Sequence, residues 1–98
     1  MQTNTNTNAD RVSALVNAKR TKTWKIGEYC AGGIIRAKAN GENVKLEIID
    51  STTNETIHWF VFGRLHEYAA ADFLCSHTTS YYCDKILSWV KANVWGNS

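Results

Sequence analysis

Residues 33–62 read GIIRAKANGENVKLEIIDSTTNETIHWFVF, and this stretch decides the fold. It holds three runs rich in β-branched, aliphatic and aromatic residues, 33–39, 44–50 and 56–62, which are separated by polar residues. Such runs bounded by turn-forming residues are typical of β-strands. Asn40-Gly41 tolerates positive φ, which favours a tight hairpin between the first two runs. The stretch therefore predicts three consecutive antiparallel strands.

The flanking segments extend the sheet and supply helices to cover it. Residues 23–29 predict another strand ahead of the hairpin, and residues 9–20 have apolar residues at helical spacing. Residues 65–76 and 81–94 predict two further helices, the second with a clear apolar stripe that Gly96 ends. We therefore expect an α+β fold. It is a four-stranded antiparallel meander sheet with an N-terminal helix and two C-terminal helices packed on it.

The chain of 98 residues is of a size for one domain. Residues 1–8 are polar and repetitive, which predicts a disordered tail ahead of a single domain over residues 9–98. No apolar run approaches the ~20 residues that cross a bilayer, and no secretory signal pattern is present. Three cysteines do not make a disulfide scaffold. We expect a cytoplasmic protein that does not contact a membrane.

Positive charge is concentrated in the first half of the chain. Residues 1–45 carry eight Lys/Arg and three Asp/Glu, whereas residues 46–98 carry three and six. The net charge of +2 is too small to establish a nucleic-acid binder. The asymmetry can nevertheless create a local positive field.

Strand alternation divides the sheet residues between two faces. The hairpin can pair Ala37 with Val44 or with Leu46, and both registers give the same faces. A four-residue turn at 52–55 then extends the assignment to the last strand. The predicted core face holds Ile35, Ala37, Val44, Leu46, Ile48, Ile57, Trp59 and Val61. The opposite face holds Arg36, Lys38, Lys45, Glu47, Ile49, His58, Phe60 and Phe62.

The second face combines aromatic, aliphatic and basic side chains. Soluble monomers rarely expose such an apolar patch, so either helix 9–20 or another chain covers it. We expect a non-enzymatic protein-interaction module, a small adaptor or inhibitor that docks on a partner protein or on a second copy as a homodimer. The predicted binding residues are Arg36, Lys38, Lys45, Ile49, His58, Phe60 and Phe62.

Two alternatives use other chemistry. The same face could bind single-stranded nucleic acid, because bases stack on aromatic rings while Lys and Arg hold phosphates. A small metal protein or enzyme would draw on the potential ligands Cys30, Cys75, His77 and Cys83. Their spacing follows no zinc pattern, and Cys75 and His77 lie in no catalytic motif. Ala31-Gly32-Gly33 precedes a strand, which favours a bend over a phosphate loop. We assign no catalytic residue, metal ligand or cofactor.

Overall fold

A computed structural model describes residues 18–96 of the chain. It contains four strands and two α-helices, with single 3-10 turns at Gly27–Tyr29 and Arg64–His66. The sheet order is β1-β2-β3-β4 with antiparallel neighbours, which confirms the α+β meander followed by two helices. The elements are β1 (Arg20–Lys25), β2 (Gly33–Asn40), β3 (Asn43–Asp50), β4 (Thr56–Phe62), α1 (Glu67–His77) and α2 (Ser80–Asn93).

The N-terminal expectations are tested only at their end. The predicted tail 1–8 and residues 9–17 of the predicted helix lie outside the described residues. The end of that helix is wrong, because β1 already begins at Arg20. β1 also stops at Lys25 instead of residue 29, since Gly27 takes a φ of 73° and opens the first 3-10 turn.

The hairpin between β2 and β3 adopts the second of the two predicted registers. Asn40 pairs with Asn43 around Gly41-Glu42, and Gly41 has a φ of 63°. Ala37 consequently pairs with Leu46 and alternates with cationic neighbours on the other side of the sheet. This register leaves the predicted faces of β2 and β3 unchanged.

The predicted faces of β4 are wrong, and a β-bulge is the reason. Ile49 pairs with Thr56 and Ile48 with His58, so Ile57 has no partner of its own. One extra residue in a strand reverses the side to which all later side chains point, because the period of a strand is two. Trp59 and Val61, predicted in the core, therefore face away from the helices, and Ile57 is exposed.

Both helices pack on one side of the sheet, here called the inner face. Its residues belong to the same buried cluster as Leu74 of α1 and Ile86 and Val90 of α2. The ring of Phe62 meets Trp95 edge-on at 5.8 Å, and Phe60 stacks on Phe73 at 5.5 Å. The strand residues of this core are Trp24, Ile35, Ala37, Ala39, Val44, Leu46, Ile48 and Phe62, with Phe60 partly buried against them.

The outer face carries the side chains that alternate with that core. By register they come from all four strands, and no helix among residues 18–96 covers them. The outer face includes Thr21, Thr23, Lys25, Ile34, Arg36, Lys38, Asn40, Asn43, Lys45, Glu47, Ile49, Thr56, Trp59 and Val61.

The helical hairpin is short and tied to the sheet. Thr78 and Thr79 connect α1 to α2, and the Thr79 hydroxyl caps α2 by accepting the Tyr82 N–H at 3.4 Å. The Thr78 hydroxyl donates to the Tyr29 carbonyl at 2.5 Å. The predicted buried stripe of α2 is confirmed at Cys83, Ile86, Leu87 and Val90.

One packing expectation for α1 is wrong. The apolar pattern of the predicted helix 65–76 makes Leu65, Tyr68, Ala69 and Leu74 available for packing, yet Leu65 is 88% exposed and Tyr68 is exposed as well. Leu65 lies in the 3-10 turn that precedes α1, so the helical phase begins later than the apolar pattern suggests. Ala70 and Leu74 are the buried residues of this helix.

The two edge strands differ in charge. β1 reads RTKTWK, and its Arg20, Lys22 and Lys25 are exposed. β4 reads TIHWFVF and has no Lys, Arg, Asp or Glu. Lysine on an edge strand is a common protection against pairing with another chain, and the second edge lacks it.

Candidate functional site

The outer face gathers four of the seven predicted binding residues. Arg36, Lys38, Lys45 and Ile49 share it, as expected. His58, Phe60 and Phe62 do not, because the bulge turns them to the inner face. Phe62 is fully buried, and Phe60 is half-buried against the core. The predicted combination of two phenylalanines with the basic residues is therefore wrong.

A buried carboxylate organises the cations of the outer face. Glu47 is 3% exposed and pairs across the strands with Arg36. The Arg36 Nε donates to Glu47 Oε1 at 2.8 Å, and Lys45 Nζ lies 3.3 Å from Oε2. Lys38 Nζ approaches Oε1 to 3.9 Å. Three cations thus surround one anion and keep a positive excess at fixed positions.

The ionised form of Glu47 is favoured in this setting. Burial alone would raise the pKa of the carboxyl, but the Arg36 hydrogen bond and the neighbouring positive charges outweigh it. The pKa of Glu47 is therefore lowered from its usual 4.5. At neutral pH the carboxylate stays charged and holds the three cationic side chains in place.

Trp59 is the aromatic group that the outer face presents. It sits opposite Glu47 in the register and is 54% exposed. The Lys45 ammonium lies 5.2 Å from the centre of the indole ring, within the range of a cation–π contact. A large planar ring is thereby left open to solvent beside a cluster of positive charge.

β1 extends the same surface with polar and cationic side chains. Thr23 pairs with Arg36 and Thr21 with Lys38, so their hydroxyls border the cations of β2. Lys25 lies on the same side at the end of β1. The outer face therefore carries four cations against the single carboxylate of Glu47.

His58 has a different environment from the one predicted. Its ring lies 4.5 Å from the ring of His77 at the end of α1, and Phe73 packs on His77 at 4.8 Å. Burial, and then the charge of His58, lower the pKa of His77 from its usual 6.5. The pair joins β4 to α1 on the inner side of the sheet.

The candidate metal ligands do not assemble into a site. Among residues 18–96, no three His, Cys, Asp or Glu side chains come close enough together to hold a metal ion. Cys30 and Cys83 are buried, whereas Cys75 is exposed. Cys30 instead forms an isolated bridge with Thr78 that ties the first 3-10 turn to the helical hairpin.

The glycine pair serves the bend between β1 and β2. A Cβ on Gly32 would lie 2.6 Å from the Ile49 carbonyl oxygen, and Gly33 has a φ of 87°. Both positions need glycine for backbone reasons. The bend places Lys25 and Ile34 side by side at one end of the outer face.

Sequence reasoning missed Trp59 as a surface group. An alternating pattern in TIHWFVF gives two equally apolar faces, and nothing in it marks the bulge at Ile57. A weak signal lay in the facing strand, where Lys45 and Glu47 already required a solvent-accessible side. Trp59 had to lie either on that solvent-accessible side or on the core side of the sheet.

Comparisons with known proteins leave the interpretation to this geometry. Within residues 18–96 neither helix has the length and apolar character needed to cross a membrane. No protein-family model, curated protein or solved structure matches the chain.

Proposed function

We propose that this protein is a binding module whose outer face holds single-stranded nucleic acid. The observation that carries the proposal is the exposed Trp59 ring beside the Lys45 ammonium, next to Arg36 and Lys38. A base stacks on the indole, and the cations attract the phosphates that flank it. This was the alternative expectation from the sequence, now supported by a different aromatic residue.

The layout of charge supports a path for a flexible polyanion. Lys25, Arg36 and Lys45 come from three neighbouring strands, and Trp59 comes from the fourth. Adjacent strands lie about 4.8 Å apart, so the path from β1 to β4 is about 14 Å long. A single strand can follow it and present a base to the ring.

Glu47 supports the proposal by fixing the cations before binding. Long Lys and Arg side chains lose conformational entropy when a ligand immobilises them. Arg36 and Lys45 are already held at 2.8 and 3.3 Å from the carboxylate. Their positive excess is therefore preorganised for an anionic partner.

The test is binding of fluorescent oligonucleotides of about 12 nucleotides, as DNA and as RNA, over a series of salt concentrations. Trp59→Ala should weaken binding by about 5- to 150-fold, which corresponds to about 1–3 kcal/mol of stacking. Lys45→Gln should reduce the slope of affinity against salt by about one. The matched controls are Tyr68→Ala and Lys85→Gln on the helices, which should bind normally.

Two outcomes would count against nucleic acid. Binding that is absent even at low salt removes the proposal. Binding that Trp59→Ala and Tyr68→Ala weaken equally would show that the open ring has no special part.

A protein partner remains the second candidate, and one observation favours it. Trp59, Val61 and the exposed Ile57 all belong to the uncharged edge strand β4. A second copy or another chain could pair with that edge while its side chains meet Trp59. Light scattering separates the candidates, because an apolar dimer persists at high salt and is lost in Trp59→Asp.

A further inference from the structure

Two cysteines meet at the contact between the helices. Cys75 belongs to α1 and is exposed, whereas Cys83 belongs to α2 and is buried. The Cys83 thiol donates to the Ala71 carbonyl at 3.6 Å. Ala71 and Cys75 are one turn apart on the same side of α1. Cys83 therefore lies against the turn of α1 that ends at Cys75.

The thiols are neighbours in the electrostatic sense as well. Burial, and then the adjacent Cys75 side chain, raise the pKa of Cys83 to about 12. Thr78 and Thr79 alone join α1 to α2, so the paired ends of the helices stay close.

The helix geometry suits a covalent link. Packed helix axes lie about 8–10 Å apart, and Cα atoms sit about 2.3 Å from each axis. Facing Cα atoms are then about 3–5 Å apart, which overlaps the range of about 4.4–6.8 Å in disulfides.

We propose that Cys75 and Cys83 are a redox-sensitive pair that closes to an intramolecular disulfide under peroxide. The Cys75 thiolate attacks one peroxide oxygen, the O–O bond breaks, and hydroxide leaves. Cys83 then attacks the Cys75 sulfur of this sulfenic acid. The S–O bond breaks, and the departing hydroxide takes the Cys83 proton as water. The dithiol loses two electrons, and hydrogen peroxide is reduced to two water molecules.

Exposure assigns the order of the two steps. Cys75 is open to solvent and can meet the oxidant, whereas Cys83 is buried and its raised pKa disfavours a first reaction there. Cys83 gives up its proton only as it attacks the Cys75 sulfur. Cys83 therefore acts as the resolving thiol. Cys30 is buried at its bridge to Thr78 and takes no part.

The experiment treats the full chain with hydrogen peroxide, then denatures it and alkylates the free thiols for intact-mass analysis. The reduced protein should take three alkyl groups, one for each cysteine. The oxidised protein should take one group and be lighter by two hydrogen atoms, with Cys75 joined to Cys83 in its peptide map. Dithiothreitol should restore three.

The variants separate the pair from the third cysteine. Cys75→Ser and Cys83→Ala should abolish the crosslink, whereas Cys30→Ala should retain it. The disulfide should also raise the thermal midpoint by several degrees, since it closes a loop and lowers the conformational entropy of the unfolded chain. Three free thiols after oxidation, stable sulfinic acid at Cys75, or a disulfide-linked dimer would each overturn the proposal.

Discussion

The two faces of β4 place the same kind of side chain in opposite environments. Phe60 and Phe62 point inward and meet Phe73 and Trp95. Trp59, directly before Phe60 in sequence, points outward beside Lys45. The position of the bulge, and not residue type, therefore decides whether an aromatic ring of β4 is buried in the core or exposed on the outer face.

The strongest test of the difference between the two faces is to truncate one aromatic ring on each of them. Phe62→Ala should lower the free energy of unfolding by about 3–5 kcal/mol, because the ring is fully buried. Trp59→Ala should change it by only about 0.5 kcal/mol, because more than half of its surface is exposed. Urea denaturation of both variants measures the contrast.

Phe62→Leu provides a milder form if the alanine variant does not fold. It should still be less stable than Trp59→Ala. Equal losses on the two faces would contradict the assignment of inner and outer residues.

The buried carboxylate gives the next largest effect. Glu47→Gln should cost about 1–3 kcal/mol, because three cations lose their shared anion. Glu42→Gln is the matched control, since Glu42 is exposed and only approaches Arg64 to 3.9 Å. Its cost should be below about 0.5 kcal/mol. Denaturation at neutral pH compares them.

Acid should sharpen the same result. The pKa of Glu47 is lower in the folded than in the unfolded chain, so its contribution is complete above about 4.5 and fades as the pH falls through the folded value. The native protein should therefore lose its advantage over Glu47→Gln in acid. A difference that is independent of pH would contradict the charged role of Glu47.

The bulge itself can be tested by removing a residue. Deletion of Ile57 leaves Thr56 opposite Ile49 and His58 opposite Ile48, so every later side chain keeps its face. We expect a change in unfolding free energy of about 1 kcal/mol or less, because Ile57 is exposed. Fluorescence quenching by iodide should still reach Trp59. Loss of folding or a newly buried Trp59 would contradict this register.

The smallest effect belongs to the histidine pair on the inner side. The pKa of His77 is lowered in the folded chain, so the unfolded chain takes the proton first as the pH falls below 6.5. Stability that is complete above this value should decrease slightly toward about pH 5.5. His58→Gln should reduce the decrease, because it removes the neighbouring positive charge. Thermal midpoints across this range would show it.

Much of the fold follows from local patterns. The Asn40-Gly41 signal and three apolar runs predicted the strands, and β4 has the predicted limits Thr56–Phe62. The stripe of α2 was equally legible, because Ile86, Leu87 and Val90 recur at helical spacing. These features depend on neighbours in sequence, so the sequence alone predicts them.

The candidate site was only half predictable, because only part of it depends on neighbours in sequence. Arg36, Lys38 and Lys45 were assigned to one face because their strands pair without interruption. The face of Trp59 depends on a backbone irregularity opposite Ile48 and Ile49, which alternation cannot reveal. The role of Glu47 at the centre of the cations was missed as well, since it depends on ion pairs with Arg36 and Lys45 that form only in the folded sheet.

The unequal edge strands set a limit on growth when molecules crowd together. If two copies pair edge to edge along β4, their twofold symmetry buries the uncharged β4 edge of both copies at once. The outer edges of this dimer are then the two β1 strands, where Arg20, Lys22 and Lys25 repel the same residues of an approaching copy. Such an assembly would stop at a dimer. The uneven charge therefore disfavours fibrils, even though the β4 edge of each single molecule is unprotected.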